Sequence, residues 1–316
     1  MKKSKLARII AVICCFAMLL TACSSNQTPT ESGGDGSTTA DSEKKVLTYA
    51  IGAETTDLST LYMNNSLYCT SKLVYENLVD FDNGEIVPGL AESWEYNDDQ
   101  TELTFHLRQG VTFHNGEPFN AEAVKTNLEH KQSNPSFYSL KGITDIQEIE
   151  IVDDYTITLH YDHPFYAYLQ DFCWPDVNPM SAPEYIIPGD FQTISGVAGT
   201  GPYIYDEYVA GEYTRFVRNE DYWGETPYWD EVIVKYVPDS TSRLQALQTG
   251  EIDMIYGGTL LTYGEYDQAL AMDGIDGQMA EKDTRVQVIT TNATSPYLSD
   301  IRVRQAIAYA IDKEEM

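Results

Sequence analysis

The chain has 316 residues, 42% hydrophobic and 22% charged, which is enough apolar material for a packed core and too much for a disordered chain. Its 20 Lys and Arg against 49 Asp and Glu give a net charge of −29. That charge argues strongly against a nucleic-acid partner, because phosphates would be repelled over most of the surface. Five cysteines without a CxxC pair exclude a disulfide-built scaffold and a structural zinc site of that type.

The first segment predicts a secretion signal. Residues 2–8 carry four cations, and the apolar stretch 9–20 is too short to span a bilayer comfortably as a permanent helix. The sequence LTAC that ends at Cys23 resembles the lipobox of bacterial lipoproteins. That resemblance implies a signal peptide over 1–22, which is removed, and a lipid on Cys23. An ordinary secretory signal or an uncleaved anchor is the alternative.

Residues 24–45 contain no aromatic and no large aliphatic side chain, so they cannot bury enough surface to offset the entropy of ordering. We therefore expect residues 23–45 to be a lipid-anchored flexible linker. It would hold the folded body at the extracytoplasmic face of a membrane, in the periplasm or on the outer face of the cytoplasmic membrane. No later apolar run is long enough to span a bilayer.

The folded body is expected to open with a strand that begins at Val46 and breaks at Gly52. Residues 66–80 carry apolar side chains at helical spacing and predict a helix that ends before the turn Asp82-Asn83-Gly84. Residues 101–108 alternate between apolar and polar side chains, which predicts a half-buried strand.

Several residues between 115 and 160 are typical of turns and helix caps. Asn115-Gly116 is a turn pair, and Asn120 is a good helix N-cap, with Phe119 and Val124 placed as a hydrophobic staple. Residues 148–160 predict a hairpin of two alternating strands that turns at Asp153-Asp154.

A strand is predicted over 231–237, followed by a helix that Asp239 or Ser240 caps and Gly250 ends. The sequence EIDMIY then returns to strand. This order of elements predicts a mixed α/β fold with more than one sheet.

The last segment, 300–316, predicts an amphipathic helix whose Ile301, Ala308 and Ile311 fall close to one face. Nothing later in the sequence would cover that face. We therefore expect the chain to be a fragment of a longer protein.

Four stretches together resemble one family. They are LAESWEYNDDQTELTFHLRQGVTFHNGEPFNAEAV (90–124), GTGPYIYDEYVAGEYTRFVRNEDYWGETP (199–227), VPDSTSRLQALQTGEIDMIYG (237–257) and DIRVRQAIAYAIDKEEM (300–316). In this order and spacing they are similar to the peptide/nickel-type extracellular solute-binding proteins of bacterial ABC importers, solute-binding protein family 5. The set is specific, although no single stretch is.

The resemblance implies an α/β fold of the periplasmic-binding-protein type, a two-lobed clamshell of which this chain holds mostly lobe one. It places lobe one at 46–282, with an inserted subdomain at about 78–188, and the start of lobe two at 283–316. It also implies a monomer that captures a small solute and works with an ABC permease and its ATPase. No cofactor and no metal site are expected.

Candidate ligand-binding residues follow from the resemblance, position by position. Relatives line the cleft with the loop after the first strand, the segment after the helix at 121–131 and the stretch around Trp174, and all three read as loops or loop edges here. The candidates are Tyr62, Asn64, Asn65, Tyr68, Phe137, Tyr138 and Trp174.

The sequence leaves two solutes open, a peptide and a nickel chelate. The nickel branch of the family is favoured by the sequences FVRNEDYWGETP and EIDMIYGGTLLTYGEYDQAL. Nickel binders of the family hold a chelate largely through its carboxylates, for which arginine is the natural partner, yet no arginine lies between Arg108 and Arg215. His160 and His163 fall on opposite faces of a strand, which disfavours direct metal ligation. We expect an oligopeptide- or dipeptide-type solute, with a nickel chelate as the alternative.

A secreted hydrolase is the alternative of a different class. Asp98-Asp99 and Asp153-Asp154 are paired carboxylates, but both pairs lie in predicted turns, where neighbouring side chains diverge into water. The sequence has no GxSxG and no HExxH motif, so we expect a binding protein and not an enzyme. Cys69 and Cys173 are expected to be two buried thiols, with a disulfide between them as the alternative.

Overall fold

The computed structural model describes residues 44–55, 58, 70–137, 139–164, 166–174, 178–190, 195–257, 260–278 and 290–311. The predicted signal peptide, the predicted lipidation site Cys23 and almost all of the predicted linker lie outside these residues. No helix in the described ranges is long and apolar enough to cross a membrane.

The strands of the described residues are β1 (Val46–Ile51), β2 (Val79–Asp82), β3 (Glu85–Pro88), β4 (Ala91–Tyr96), β5 (Glu102–Leu107), β6 (Ile146–Asp153), β7 (Thr156–Tyr161), β8 (Tyr203–Val209), β9 (Tyr213–Arg218), β10 (Glu231–Tyr236) and β11 (Met254–Ile255). The helices are α1 (Ser71–Val74), α2 (Ala121–Ser133), α3 (Lys141–Thr144), α4 (Tyr168–Asp171), α5 (Ser240–Thr249), α6 (Tyr263–Leu270) and α7 (Ile301–Ala310). They include a mixed five-stranded sheet and an antiparallel four-stranded sheet.

The five-stranded sheet has the strand order β11-β1-β10-β9-β8. β1 runs parallel to both of its neighbours, β10 and β11, whereas β9 and β8 continue the sheet in antiparallel fashion. Phe216, Val232 and Val234 from its strands form one buried cluster with Val74 of α1. Because β1, β10 and β11 are parallel, their carboxyl ends lie at the same edge of the sheet.

The four-stranded sheet has the order β4-β5-β7-β6 and packs against α2. Leu103, Phe105 and Leu107 of β5 are buried on one face, so the predicted alternating strand is confirmed. Val124 and Leu128 of α2 belong to the same buried cluster. This cluster is the larger of the two main cores in the described residues.

The predicted helix over 66–80 is wrong. Only α1, Ser71–Val74, is helical in the described part of that range, and Val79–Asp82 is strand β2, paired with β3. Asn83 and Gly84 between them have φ angles of 49° and 88°, the left-handed values that a two-residue hairpin turn requires. Cross-strand pairing through this turn prevails over the helical spacing of the apolar residues.

Short-range predictions are confirmed. Asn120 caps α2 by accepting a hydrogen bond from the Ala123 amide at 2.9 Å, and Asp239 caps α5 by accepting from the Ser242 amide at 2.7 Å. Gly250 ends α5 with a φ of 72°. The predicted hairpin at 148–160 is the pair β6 and β7.

Of the two last predicted elements, the strand is shorter than expected, and the helix lies partly outside the described residues, which end at 311. The strand predicted for EIDMIY is limited to β11, and the last helix is described as α7, Ile301–Ala310. No residue of α7 is buried, and Ile301 and Tyr309 are 58% and 90% exposed. The predicted apolar face of this helix is therefore open within the described residues.

Candidate functional site

The carboxyl ends of three parallel strands meet at one edge of the five-stranded sheet, at Ile51, Tyr236 and Ile255. In open α/β sheets, ligands bind in the crevice outside the carboxyl ends of the strands. This edge is therefore the first candidate for a ligand site. We call the segments that follow these strands, residues 52–55, 237–239, 256–257 and 260–262, the strand-end edge.

A small recess lies beside the strand-end edge, and three of the residues that line it are Tyr208, Tyr213 and Tyr236. Glu54, also in its lining, accepts hydrogen bonds from the Tyr208 hydroxyl at 2.6 Å and from the Gly211 amide at 2.5 Å. These donors lower the pKa of the Glu54 carboxyl below its ordinary value. The recess itself is about the size of one water molecule. A ligand amine would therefore meet the half-buried, ionised Glu54 carboxylate from its solvent side.

Trp174 is the one predicted ligand-binding residue that the structure places at the surface among those it describes, with 53% of its area exposed. Its carbonyl oxygen accepts a hydrogen bond from the Asn178 amide at 2.9 Å. The Asn178 side chain in turn donates to the Asp171 carbonyl at 3.2 Å and accepts from Lys131 Nζ at 3.3 Å. Buried polar groups of α2 thus hold the segment that carries Trp174.

Phe137 is placed in the interior, with no exposed surface, in a cluster with Leu140 and Ile143. The 3-10 turn at Pro135–Phe137 after α2 carries the ring into that cluster. The structure therefore does not put this ring on a cleft wall. The other predicted ligand-binding residues lie outside the described residues: Tyr62, Asn64, Asn65, Tyr68 and Tyr138.

The side chain of Glu76 links its own segment to two distant segments of the chain. Its carboxylate accepts hydrogen bonds from Thr200 Oγ1 at 2.7 Å, Tyr222 Oη at 2.8 Å and Trp223 Nε1 at 2.7 Å. Burial raises the pKa of the Glu76 carboxyl, and the three donors oppose that rise. No signal in the sequence indicates this carboxylate, because its partners lie more than 120 residues away.

Metal ligation finds no support in the described part of the chain, where no group of three or more His, Cys, Asp or Glu side chains could hold an ion. His160 instead contacts Glu150 at 3.0 Å and Glu102 at 3.5 Å on the open face of the four-stranded sheet. His163 pairs with the neighbouring Asp162. These are surface contacts at the end of a strand.

Arg108 and Arg215, which lie on either side of the arginine-free stretch, already have partners. Arg108 lies over the Trp223 ring, 4.3 Å from its centroid, and donates to the Gly89 carbonyl at 3.3 Å. Arg215 pairs with Asp206 at 2.6 Å and with Glu207 at 3.1 Å. Cys173 is a buried free thiol, and burial raises its pKa to about 12, whereas Cys69 lies outside the described residues.

Comparison with known proteins gives one consistent family. The family described as bacterial extracellular solute-binding proteins, family 5 Middle, matches residues 85–316. The chain is 32% identical over 268 residues to the nickel-binding periplasmic protein of Escherichia coli K12, a match that covers 81% of this chain and 49% of that protein. The chain thus spans about half the length of this relative.

Two solved structures have the same fold. The crystal structure of NikA from Brucella suis in complex with Fe(III)-EDTA is 31% identical, with a TM-score of 0.77 over 85% of this chain and 55% of that one. The periplasmic binding protein DppA from Helicobacter pylori, in complex with the peptide STSA, is 26% identical, with a TM-score of 0.69 over 85% of this chain and 57% of that one. These likenesses confirm the predicted α/β fold of a two-lobed periplasmic binding protein, of which this chain covers part.

Proposed function

The chain belongs to family 5 of the bacterial extracellular solute-binding proteins, and on that premise we propose that the whole protein captures an oligopeptide- or dipeptide-type solute for an ABC importer. Two lobes close around the solute by a hinge motion, and the closed form docks on a permease whose partner ATPase drives import. Residues 46–282 supply lobe one and residues 283–316 begin lobe two. The protein binds its cargo without altering it chemically.

The observation that carries the peptide assignment is the ionised carboxylate of Glu54 at the strand-end edge, beside a tyrosine-lined recess about the size of one water molecule. A peptide carries an ammonium group that such a carboxylate attracts, and its side chains suit the faces of phenol rings. A metal chelate keeps its amines bound to the metal, so it offers Glu54 no free ammonium group. The engaged state of Arg108 and Arg215 supports the same choice.

A nickel chelate is the second candidate solute. It is favoured by the similarity to the nickel-binding protein of Escherichia coli and to a structure that holds Fe(III)-EDTA. A secreted hydrolase is the candidate of another class. It is disfavoured because Asp98-Asp99 and Asp153-Asp154 lie in or beside turns, not across a cleft.

The membrane anchor and the domain division belong to the same proposal. A signal peptide over 1–22, a lipid on Cys23 and a linker over 23–45 would keep the protein at the extracytoplasmic face of the membrane. The sequence pattern alone supports this part. An inserted subdomain at about 78–188 is supported by the four-stranded sheet and α2, which share one buried cluster.

Isothermal titration calorimetry with a defined panel tests the function. The panel contains dipeptides, a tetrapeptide and Ni(II)–L-histidine, each added to the purified protein expressed from its full reading frame. We expect peptides to bind and Glu54→Gln to weaken that binding by about tenfold, because one charged hydrogen-bond acceptor is lost. Glu251→Gln, which removes a surface carboxylate paired with Lys235, is the matched control and should leave affinity unchanged. Binding of Ni(II)–L-histidine without any peptide would select the chelate instead, and turnover of a peptide would select the hydrolase.

A further inference from the structure

One buried arginine lies directly behind the strand-end edge. Arg243, in the first turns of α5, is 3% exposed. Its Nη1 donates to the carbonyl of Val237 at 2.5 Å, and its Nη2 donates to the carbonyl of Leu260. Val237 is the first residue after β10, and Leu260 lies on the segment that follows β11.

The same guanidinium also abuts the segment that follows β1. A Cβ atom at Gly52 would lie 3.3 Å from Arg243 Nη1 and 2.8 Å from Leu260 Cδ2. Gly52 therefore leaves room for the arginine and for the leucine that it binds. One side chain thus contacts the segments after all three parallel strands, which are far apart in the sequence.

The bonding pattern of Arg243 indicates a geometric role. Both of its described hydrogen-bond partners are backbone carbonyls, and its Nε has no hydrogen-bond partner among the described residues. The acidic groups that act on it are engaged elsewhere: the Asp239 carboxylate accepts from the Ser242 amide, and the Glu265 carboxylate accepts from the Thr262 amide. A planar guanidinium can reach two carbonyls in fixed directions, which a lysine ammonium cannot do.

We propose that Arg243 is a positioning residue that holds the three segments of the strand-end edge in one arrangement, and so sets the shape of the surface that receives the solute. The second clause rests on the proposed function, whereas the coupling of the three segments does not. Without the guanidinium the three segments would open independently.

Hydrogen exchange of two backbone amides reports on this coupling. The Val237 amide donates to the Ile51 carbonyl at 3.0 Å, and the Tyr256 amide donates to the Ala50 carbonyl at 3.3 Å. In the full chain, we expect Arg243→Ala to raise the exchange rates of both amides by about tenfold or more. The amide of Leu107 in the four-stranded sheet, bonded to the Tyr155 carbonyl at 2.7 Å, should keep its rate.

Chemical rescue separates positioning from a general loss of packing. Guanidinium ion at millimolar concentration should restore slow exchange at both amides in Arg243→Ala, and ammonium ion at the same ionic strength should not. Arg215→Ala is the matched control, because it removes from the same sheet a half-buried arginine whose partners are side-chain carboxylates. It should leave both rates unchanged.

Three results would overturn the proposal: faster exchange at only one of the two amides, equal acceleration in Arg215→Ala, or no rescue by guanidinium. If Arg243→Ala does not fold, Gly52→Ala replaces it, since the added methyl presses on the guanidinium and on Leu260 without removing either. The same pair of amides should then exchange faster. These measurements need no solute, so they can succeed even if every member of the calorimetric panel fails to bind.

Discussion

The ammonium group of Lys131 in α2 donates to the carbonyl oxygen of Pro179 at 2.6 Å, although the lysine is only 1% exposed. The same group reaches the Asn178 side chain at 3.3 Å, so it holds the segment that follows Trp174. Both acceptors are neutral. Because burial is not offset by a described carboxylate, it lowers the pKa of Lys131 to about 7.

This shift predicts how stability depends on pH. The unfolded pKa of lysine is about 10.4, so between about pH 7 and 10 the unfolded chain binds a proton that the folded chain has released. The free energy of unfolding should therefore rise with pH in that window, by at most about 1.4 kcal/mol per pH unit from this group. Urea unfolding at several pH values should show this rise in the wild type and its loss in Lys131→Met. Lys141→Met, at an exposed lysine, should keep the wild-type slope. Equal slopes for the wild type and Lys131→Met would refute the assignment.

Substitution of Glu76 should lower the free energy of unfolding and change the fluorescence of a neighbouring tryptophan. Glu76→Gln places an amide NH₂ among three donors, so one or two of them lose their acceptor, at about 1–3 kcal/mol each. The free energy of unfolding should fall by that amount, and the emission of Trp223 should change. Glu220→Gln, at a carboxylate paired with Arg218 on the surface, should change stability by less than about 1 kcal/mol. Equal losses in the two variants would argue against a special role for Glu76.

Any side chain placed at position 199 should clash with the backbone of a neighbouring segment. A Cβ atom there would lie 2.0 Å from the Val74 carbonyl oxygen, so Gly199→Ala must push α1 away from the residues before β8. We expect a loss of about 3 kcal/mol or more in denaturant unfolding. Gly264→Ala is the control, because nothing lies within 4 Å of its Cβ position in α6. It should be neutral or stabilise by up to about 1 kcal/mol. A harmless Gly199→Ala would contradict the close approach of Gly199 to the Val74 carbonyl.

Local signals in the sequence predicted local structure well. Asn120 and Asp239 are caps in the structure because a cap needs only the amide three residues later. The alternating pattern of β5 survives because one face of its sheet is buried. The helix predicted over 66–80 failed because the turn at Asn83-Gly84 pairs Val79–Asp82 with a partner strand.

The site was harder to predict because its side chains act across long distances in the sequence. Lys131 and Arg243 are buried and Glu76 is half-buried, and the partners of all three are set by the fold. In the sequence they look like ordinary polar positions of helices or loops. The family resemblance supplied candidates instead. Of these, the structure places Trp174 at the surface and Phe137 in the interior.

Small-angle X-ray scattering of the protein expressed from its full reading frame, with and without a saturating peptide from the panel, tests most directly whether the molecule is a hinged solute trap. We expect the radius of gyration to fall on binding, because closure of the two lobes makes the molecule more compact. Tight binding with an unchanged radius of gyration would contradict that mechanism.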